Sequence, residues 1–266
     1  MTILSKKTLK KHLFLSLLGC KMNARTNFEV AKTIRQLILV SFVTLFTISP
    51  LLPRFWMVKN SLIQHSSFTA GGGWDLVPLQ STLEFDLGIP SDCVTYENQK
   101  VTIHDCLTPT NLKWKSDDKW KVTEVIPSDL NHDGKTELAM VVWRPFKPWP
   151  IDSFMPNGGR IENFHDRHGF SCHVILVGWD GNGYREMWAG SALVDPVSQI
   201  RVFDIDGDGY HELIALEEKY NSLTGTGNLT VWEWSGFGFR LMDRIAGHFS
   251  QYGILVKNSD VLILTN

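Results

Sequence analysis

Two short stretches of this 266-residue chain carry oxygen-bearing side chains at alternate positions. The first, Asp129–Trp143, reads DLNHDGKTELAMVVW; the second, Asp204–Glu218, reads DIDGDGYHELIALEE and begins 75 residues later. Positions 1, 3 and 5 are Asp129, Asn131 and Asp133 in the first, followed by Gly134, Lys135 and Glu137. The second supplies Asp204, Asp206, Asp208, Gly209, Tyr210 and Glu212. On a tight turn such side chains converge on one point, and the Gly permits the positive φ that the turn needs. Position 7 gives a backbone carbonyl, so its side chain is free to be Lys135 in one copy and Tyr210 in the other. Hard oxygen donors at this spacing suit Ca²⁺ rather than zinc or copper. The competing reading is an Asx-rich turn that holds no metal. Two copies in matching contexts weigh against it, because carboxylates packed this closely repel unless a cation sits among them.

An EF-hand is excluded on two counts. Its bidentate Glu at position 12 would fall on Met140 and Ala215. The flanks are also β-rich rather than helical: VTIHDC, WKVTEVI, ELAMVVW, CHVILVGW, IRVFDI, ELIALE, LTVWEW, GILV and VLILT alternate with turn clusters. The acidic loops must therefore join strands, and the body is expected to be all-β. A second repeated element lies between them. VILVGWDGNGYREMWAG at 174–190 matches TVWEWSGFGFRLMDRIAG at 230–247, with a fainter copy, LKWKSDDKWKVTEV, at 112–125. Each reads as a hairpin, an apolar strand ending in Trp114, Trp179 or Trp234 before a turn and a returning strand. Recurrence in register predicts that these three Trp pack in the core.

Acidic loops each followed by an apolar strand, with W-x-G-x-G-[FY] hairpins between, resemble the FG-GAP or VCBS-type repeats of integrin-like β-propellers. The resemblance covers roughly residues 100–250. It implies calcium held by Asp129, Asn131, Asp133, the Lys135 carbonyl and Glu137, and by Asp204, Asp206, Asp208, the Tyr210 carbonyl and Glu212. It also implies a propeller-like stack of about three units, fewer than the seven blades usual in the family. Proteins of this type mostly bind ligands or partners.

The head of the chain has a different character. Residues 1–53 hold eight Lys/Arg against one acid, Glu29, whereas the rest holds 18 bases and 27 acids. From Gln36 to Pro53 there are 18 residues without a charge, near the lower limit for a spanning helix. Basic residues cluster before this segment, so the positive-inside rule leaves the body outside the cytoplasm. The expected organisation is a basic cytoplasmic N-terminus at 1–35, a transmembrane anchor at 36–58, a linker at 59–73 and an extracytoplasmic calcium-loop domain at 74–266. Upstream, LFLSLLGC ending at Cys20 resembles a lipoprotein signal; a start at Met22 is the alternative. Cys93 and Cys106 bracket an alternating stretch with a polar turn at Glu97-Asn98-Gln99. In an oxidising compartment that hairpin suggests a disulfide, with Cys172 left free.

A formal net charge of −2 argues against a general nucleic-acid binder. No G-x-S-x-G, H-E-x-x-H or P-loop is present. His165-Asp166-Arg167-His168 lies in a long connection at 144–172 and reads as a solvated polar loop; Trp143, Phe146 and Trp149 in WRPFKPWP offer a surface for contact. The expected function is a membrane-anchored, calcium-binding module for a protein or glycan partner, not an enzyme. The alternatives are a cell-envelope hydrolase using the 144–172 loop and a structural accessory subunit of a membrane complex.

Overall fold

A computed structural model describes residues 54–59, 62–66, 73–77, 92–147, 164–222, 224–258 and 260–266. The chain divides by its internal contacts into Met1–Pro50 and Leu51–Asn266. The uncharged segment 36–53, Cys20 and Met22 lie outside the described residues. Among those residues no helix is long and apolar enough to cross a membrane.

The described body is all-β and antiparallel. Sheet I is a meander of β4 (Asp92–Glu97), β5 (Lys100–Asp105) and β6 (Leu112–Lys115). Sheet II runs β7 (Lys121–Ser128), β8 (Glu137–Pro145), β9 (Phe170–Trp179) and β10 (Tyr184–Ala189). Sheet III repeats that order with β11 (Val197–Phe203), β12 (Glu212–Glu217), β13 (Gly227–Trp234) and β14 (Phe239–Phe249). Sheet IV combines the two ends of the body. Its order is β2 (Leu62–Ser66), β1 (Arg54–Lys59), β16 (Asp260–Thr265), β15 (Tyr252–Lys257) and β3 (Asp75–Leu76). β1 pairs antiparallel with β16, from Arg54 opposite Thr265 to Met57 opposite Leu262.

Burial explains this arrangement. Three apolar clusters are each shared by successive sheets. Val101, Ile103, Val122, Met140 and Ile175 join sheets I and II. Leu176, Val174, Ile200, Leu213 and Ala215 join II and III. Ile214, Leu216, Val231, Ile254 and Ile263 join III and IV. Sheets II and III are thus covered on both faces, and their central strands carry continuous apolar runs, LAMVV in β8 and LIAL in β12, buried at every position. In sheet I, β4 and β5 instead alternate buried with half-buried positions, as one-sided sheets do. Each fully buried Leu, Ile or Val contributes about 1.5–3 kcal/mol.

Several sequence expectations are corrected by this architecture. There are four sheets rather than about three units, and among the described residues they form no closed ring. Residues 54–58, placed in the anchor, belong to β1, because the strand supplies hydrogen-bond partners to β16. The linker 59–73 contains β2 for the same reason. The faint third hairpin at 112–125 is not one: β6 pairs with β5, and β7 pairs with β8 in the next sheet.

The other two hairpins do form. Trp179 lies opposite Tyr184 with ring centroids 5.2 Å apart, and Trp234 lies opposite Phe239 at 5.3 Å. Trp114, Trp179 and Trp234 all pack against the apolar clusters. Trp143 packs there too, edge-on to Tyr220 at 5.8 Å, instead of presenting a free surface. Cys93 and Cys106 are disulfide-linked across the β4–β5 hairpin, with Cα atoms 5.0 Å apart, and Cys172 is free and buried. Asn98 and Gln99 form its two-residue turn with φ of 52° and 62°, the paired left-handed geometry that matches strand twist.

Candidate metal centre

The two acidic loops occupy equivalent places. Loop 1 (129–136) joins the first and second strands of sheet II, and loop 2 (204–211) joins the first and second strands of sheet III. The 75-residue spacing of the motifs is therefore the spacing of two four-stranded sheets. Each unit runs strand, acidic loop, strand, connection, hairpin.

Both loops fold on their own side chains. In loop 1, Asp129 accepts from the amides of Asp133 (3.0 Å) and Gly134 (2.9 Å). Asn131 Oδ1 also accepts from Asp133, and Asp133 accepts from Lys135. In loop 2, Asp204 accepts from Gly207 (2.7 Å) and Gly209 (3.0 Å), and Asp208 accepts from Tyr210 (2.8 Å). Position 6 is left-handed in both, Gly134 at φ 82° and Gly209 at 92°. Position 4 is left-handed as well, filled by Gly207 at 82° in loop 2 and by His132 at 60° in loop 1.

Carboxylates converge in each loop. One oxygen from each of Asp129, Asp133 and Glu137 lies within 4.8 Å of the others; in loop 2 the same holds for Asp204, Asp206 and Asp208. Glu137 is 1% exposed. Its Oε1 accepts from Asn131 Nδ2 at 3.0 Å, while its Oε2 is buried and makes no hydrogen bond among the described residues. Such an oxygen calls for an explanation, since buried polar atoms are nearly always paired. Burial first, then the neighbouring charges of Asp133 and Asp129, pushes its carboxyl up to about 8, while the Leu130 amide and the Asn131 side chain work against that rise. Glu212 is also buried, but its Oε2 accepts from the Ile205 amide at 2.8 Å. Burial raises its carboxyl to about 7; the Ile205 amide works against that rise, and Asp206, Asp208 and Asp204 add to it. The structure thus gathers Asp129, Asp133 and Glu137 in loop 1, whereas Glu212 stands outside the converging group of loop 2. Asn131 is turned to brace Glu137 and Asp133.

The donor set of each loop is oxygen only. The carboxylates that converge in each loop could hold a metal ion, and as hard donors they offer nothing that selects a soft metal.

Contact between the loops was not legible in the motifs. The His132 ring stacks on the Tyr210 ring, centroids 4.3 Å apart and planes 25° from parallel. Ser128 Oγ, one residue before loop 1, bonds His211 Nδ1 at 2.9 Å. The only sequence signal was His at position 4 where the other loop has Gly.

Elsewhere the polar loop closes on itself. Asp166 Oδ1 accepts from the amides of His168 and Phe170, and His165 Nδ1 contacts the Asp166 carbonyl at 2.7 Å. Ser171 Oγ and His173 Nε2 are 2.7 Å apart, but both residues are buried, and His173 Nδ1 is held by the Gly190 carbonyl. Burial drives His173 down to about 4. Compared with known families and with curated proteins, the chain matches none.

Proposed function

We propose that this protein is a calcium-binding β-sheet module, carried outside the cytoplasm on an N-terminal membrane anchor, that binds a protein or glycan partner and is not an enzyme. The observation carrying the calcium reading is Glu137: a buried carboxylate oxygen without a hydrogen-bond partner among the described residues, beside Asp129 and Asp133. A cation there would supply the missing partner and offset the repulsion among three acids. Loop 2, with four acidic side chains, offers the more anionic site and is expected to bind more tightly. Four-stranded meanders stacked face to face are the building block of β-propellers, which supports the propeller-like, FG-GAP/VCBS-type reading of sheets II and III. The basic head, the uncharged segment 36–53 and the Cys93–Cys106 disulfide fit an anchored protein in an oxidising compartment.

Calcium titration with a thermal melt of the full-length protein tests this reading. Binding to the native state raises the melting temperature by mass action, and chelator lowers it. Half-saturation is expected at ~10⁻⁴–10⁻³ M, the range of extracellular modules. Asp206→Ala should remove more of the calcium-dependent gain than Asn131→Ala. A protein that stays folded and takes up no calcium at several millimolar would leave both loops as plain turns.

A further inference from the structure

We propose that the two acidic loops bind their cations cooperatively, filling of one raising the affinity of the other, and that the stack of His132 on Tyr210 carries the coupling. The proposal rests on the calcium reading above and adds a relation between the two sites.

Position is the first argument. His132 lies between Asn131 and Asp133, both in the donor set of loop 1. Tyr210 supplies the position-7 carbonyl of loop 2, and its amide is tied to Asp208. Thus the two rings in contact belong to residues whose backbones shape the two sites. A second tie runs parallel: Ser128 adjoins Asp129, His211 adjoins Glu212, and the two side chains are bonded.

Conformation is the second argument. His132 is held at φ 60°, a region that a non-glycine residue seldom adopts. Loop 2 uses Gly207 at that position, where the strain is absent. Retaining an imidazole at a position that favours glycine places a ring against Tyr210. Tyr210 is otherwise exposed, at 52%.

The mechanism follows from ordering. A cation that fixes loop 1 fixes His132, and a fixed His132 restricts Tyr210 before the second cation arrives. The second site then loses less conformational freedom on binding, which is positive coupling. Repulsion between two bound dications opposes this. It acts through solvent near exposed loops and is screened over a Debye length of ~8 Å at physiological salt. Loop 2 also remains anionic when filled, because three converging carboxylates face one dication. Contact between the rings is not screened.

The test uses the full-length chain labelled with ¹⁵N-glycine. The Gly134 and Gly209 amides each donate to the first Asp of their own loop, so their resonances report the two sites separately during calcium titration. Asp206→Ala, or the milder Asp206→Asn, should weaken calcium binding read at Gly134 by about five-fold or more, the lower end of usual coupling. In His132→Gly both loops should still fill, and the same Asp206 substitution should change the Gly134 midpoint less than about two-fold. An unchanged Gly134 midpoint in the Asp206 variants overturns the coupling. A full effect that persists in His132→Gly overturns the stack as its carrier. If neither glycine responds to calcium in the unaltered chain, the calcium reading itself fails, a result distinct from two sites that fill independently.

Discussion

Loops 1 and 2 have nearly the same sequence at the same place in successive sheets, and they dispose of their last carboxylate differently. In loop 1 position 3 is Asn131, whose amide donates to Glu137 Oε1, while Oε2 is buried without a hydrogen bond among the described residues. In loop 2 position 3 is Asp206, a carboxylate that cannot donate. There three aspartates converge, while Glu212 turns to the Ile205 amide. Position 3 is an amide in one loop and a carboxylate in the other, and the closing Glu belongs to the converging group only in the first.

Glu137 offers the largest test of that difference. Its carboxyl is raised to about 8 in the folded protein, against about 4.3 for an unperturbed Glu. The folded state holds this proton when the unfolded chain has lost it, so the stabilisation is complete below about pH 4 and disappears as pH rises through 8. In chelator, stability should fall across that window by on the order of 5 kcal/mol, at 1.36 kcal/mol per unit. Glu137→Gln should flatten the fall in denaturant melts at pH 5 to 9, and Glu212→Gln should flatten a smaller part. An equal effect from the two substitutions would show that the loops are electrostatically alike.

His173, far from either loop in sequence, sets the opposite limb. Its imidazole is lowered to about 4 by burial, below an unfolded value near 6.5. Its contribution is present above pH 6.5 and is lost as pH falls through 4, by about 3 kcal/mol. His173→Gln should blunt acid destabilisation between pH 6.5 and 4 while leaving the alkaline limb of the loops intact. An unchanged acid limb would mean that His173 protonates in place.

The smallest effect concerns what the loops share. Gly134 and Gly209 are both left-handed, and a Cβ would meet nothing within 4 Å at either. The cost of Gly134→Ala or Gly209→Ala is then backbone strain alone, about 1–2 kcal/mol. Matching losses in urea melts would confirm that the two turns are the same turn. A loss confined to one loop would show that their backbones differ.

Much of this was legible in the chain. Alternation and turn clusters defined the all-β body, since a period of two can bury one face of a sheet. The twin motifs marked two equivalent loops, because only a few residue types tolerate the turn at positions 4 and 6. The Trp-flanked hairpins at 174–190 and 230–247 followed from register, and the Cys93–Cys106 bridge from an alternating stretch around a polar turn at Glu97-Asn98-Gln99. The copy at 112–125 misled, because an apolar run that ends in Trp looks the same whether the next strand pairs with it or joins another sheet.

What the sequence determined by itself was local: strand periods, loop donors, the bridged hairpin and the charge boundary near residue 53. Only the tertiary structure decided that the unit begins at β7, that β1 completes the C-terminal sheet, that Glu137 keeps an unpartnered oxygen while Glu212 does not, and that His132 meets Tyr210. The reason is physical. Turn and strand preferences act over a few bonds and leave a trace in neighbouring residues. Sheet order, burial of one carboxylate and contact between loops 75 residues apart arise from packing surfaces together, and no residue type at any one position records which surface it will meet.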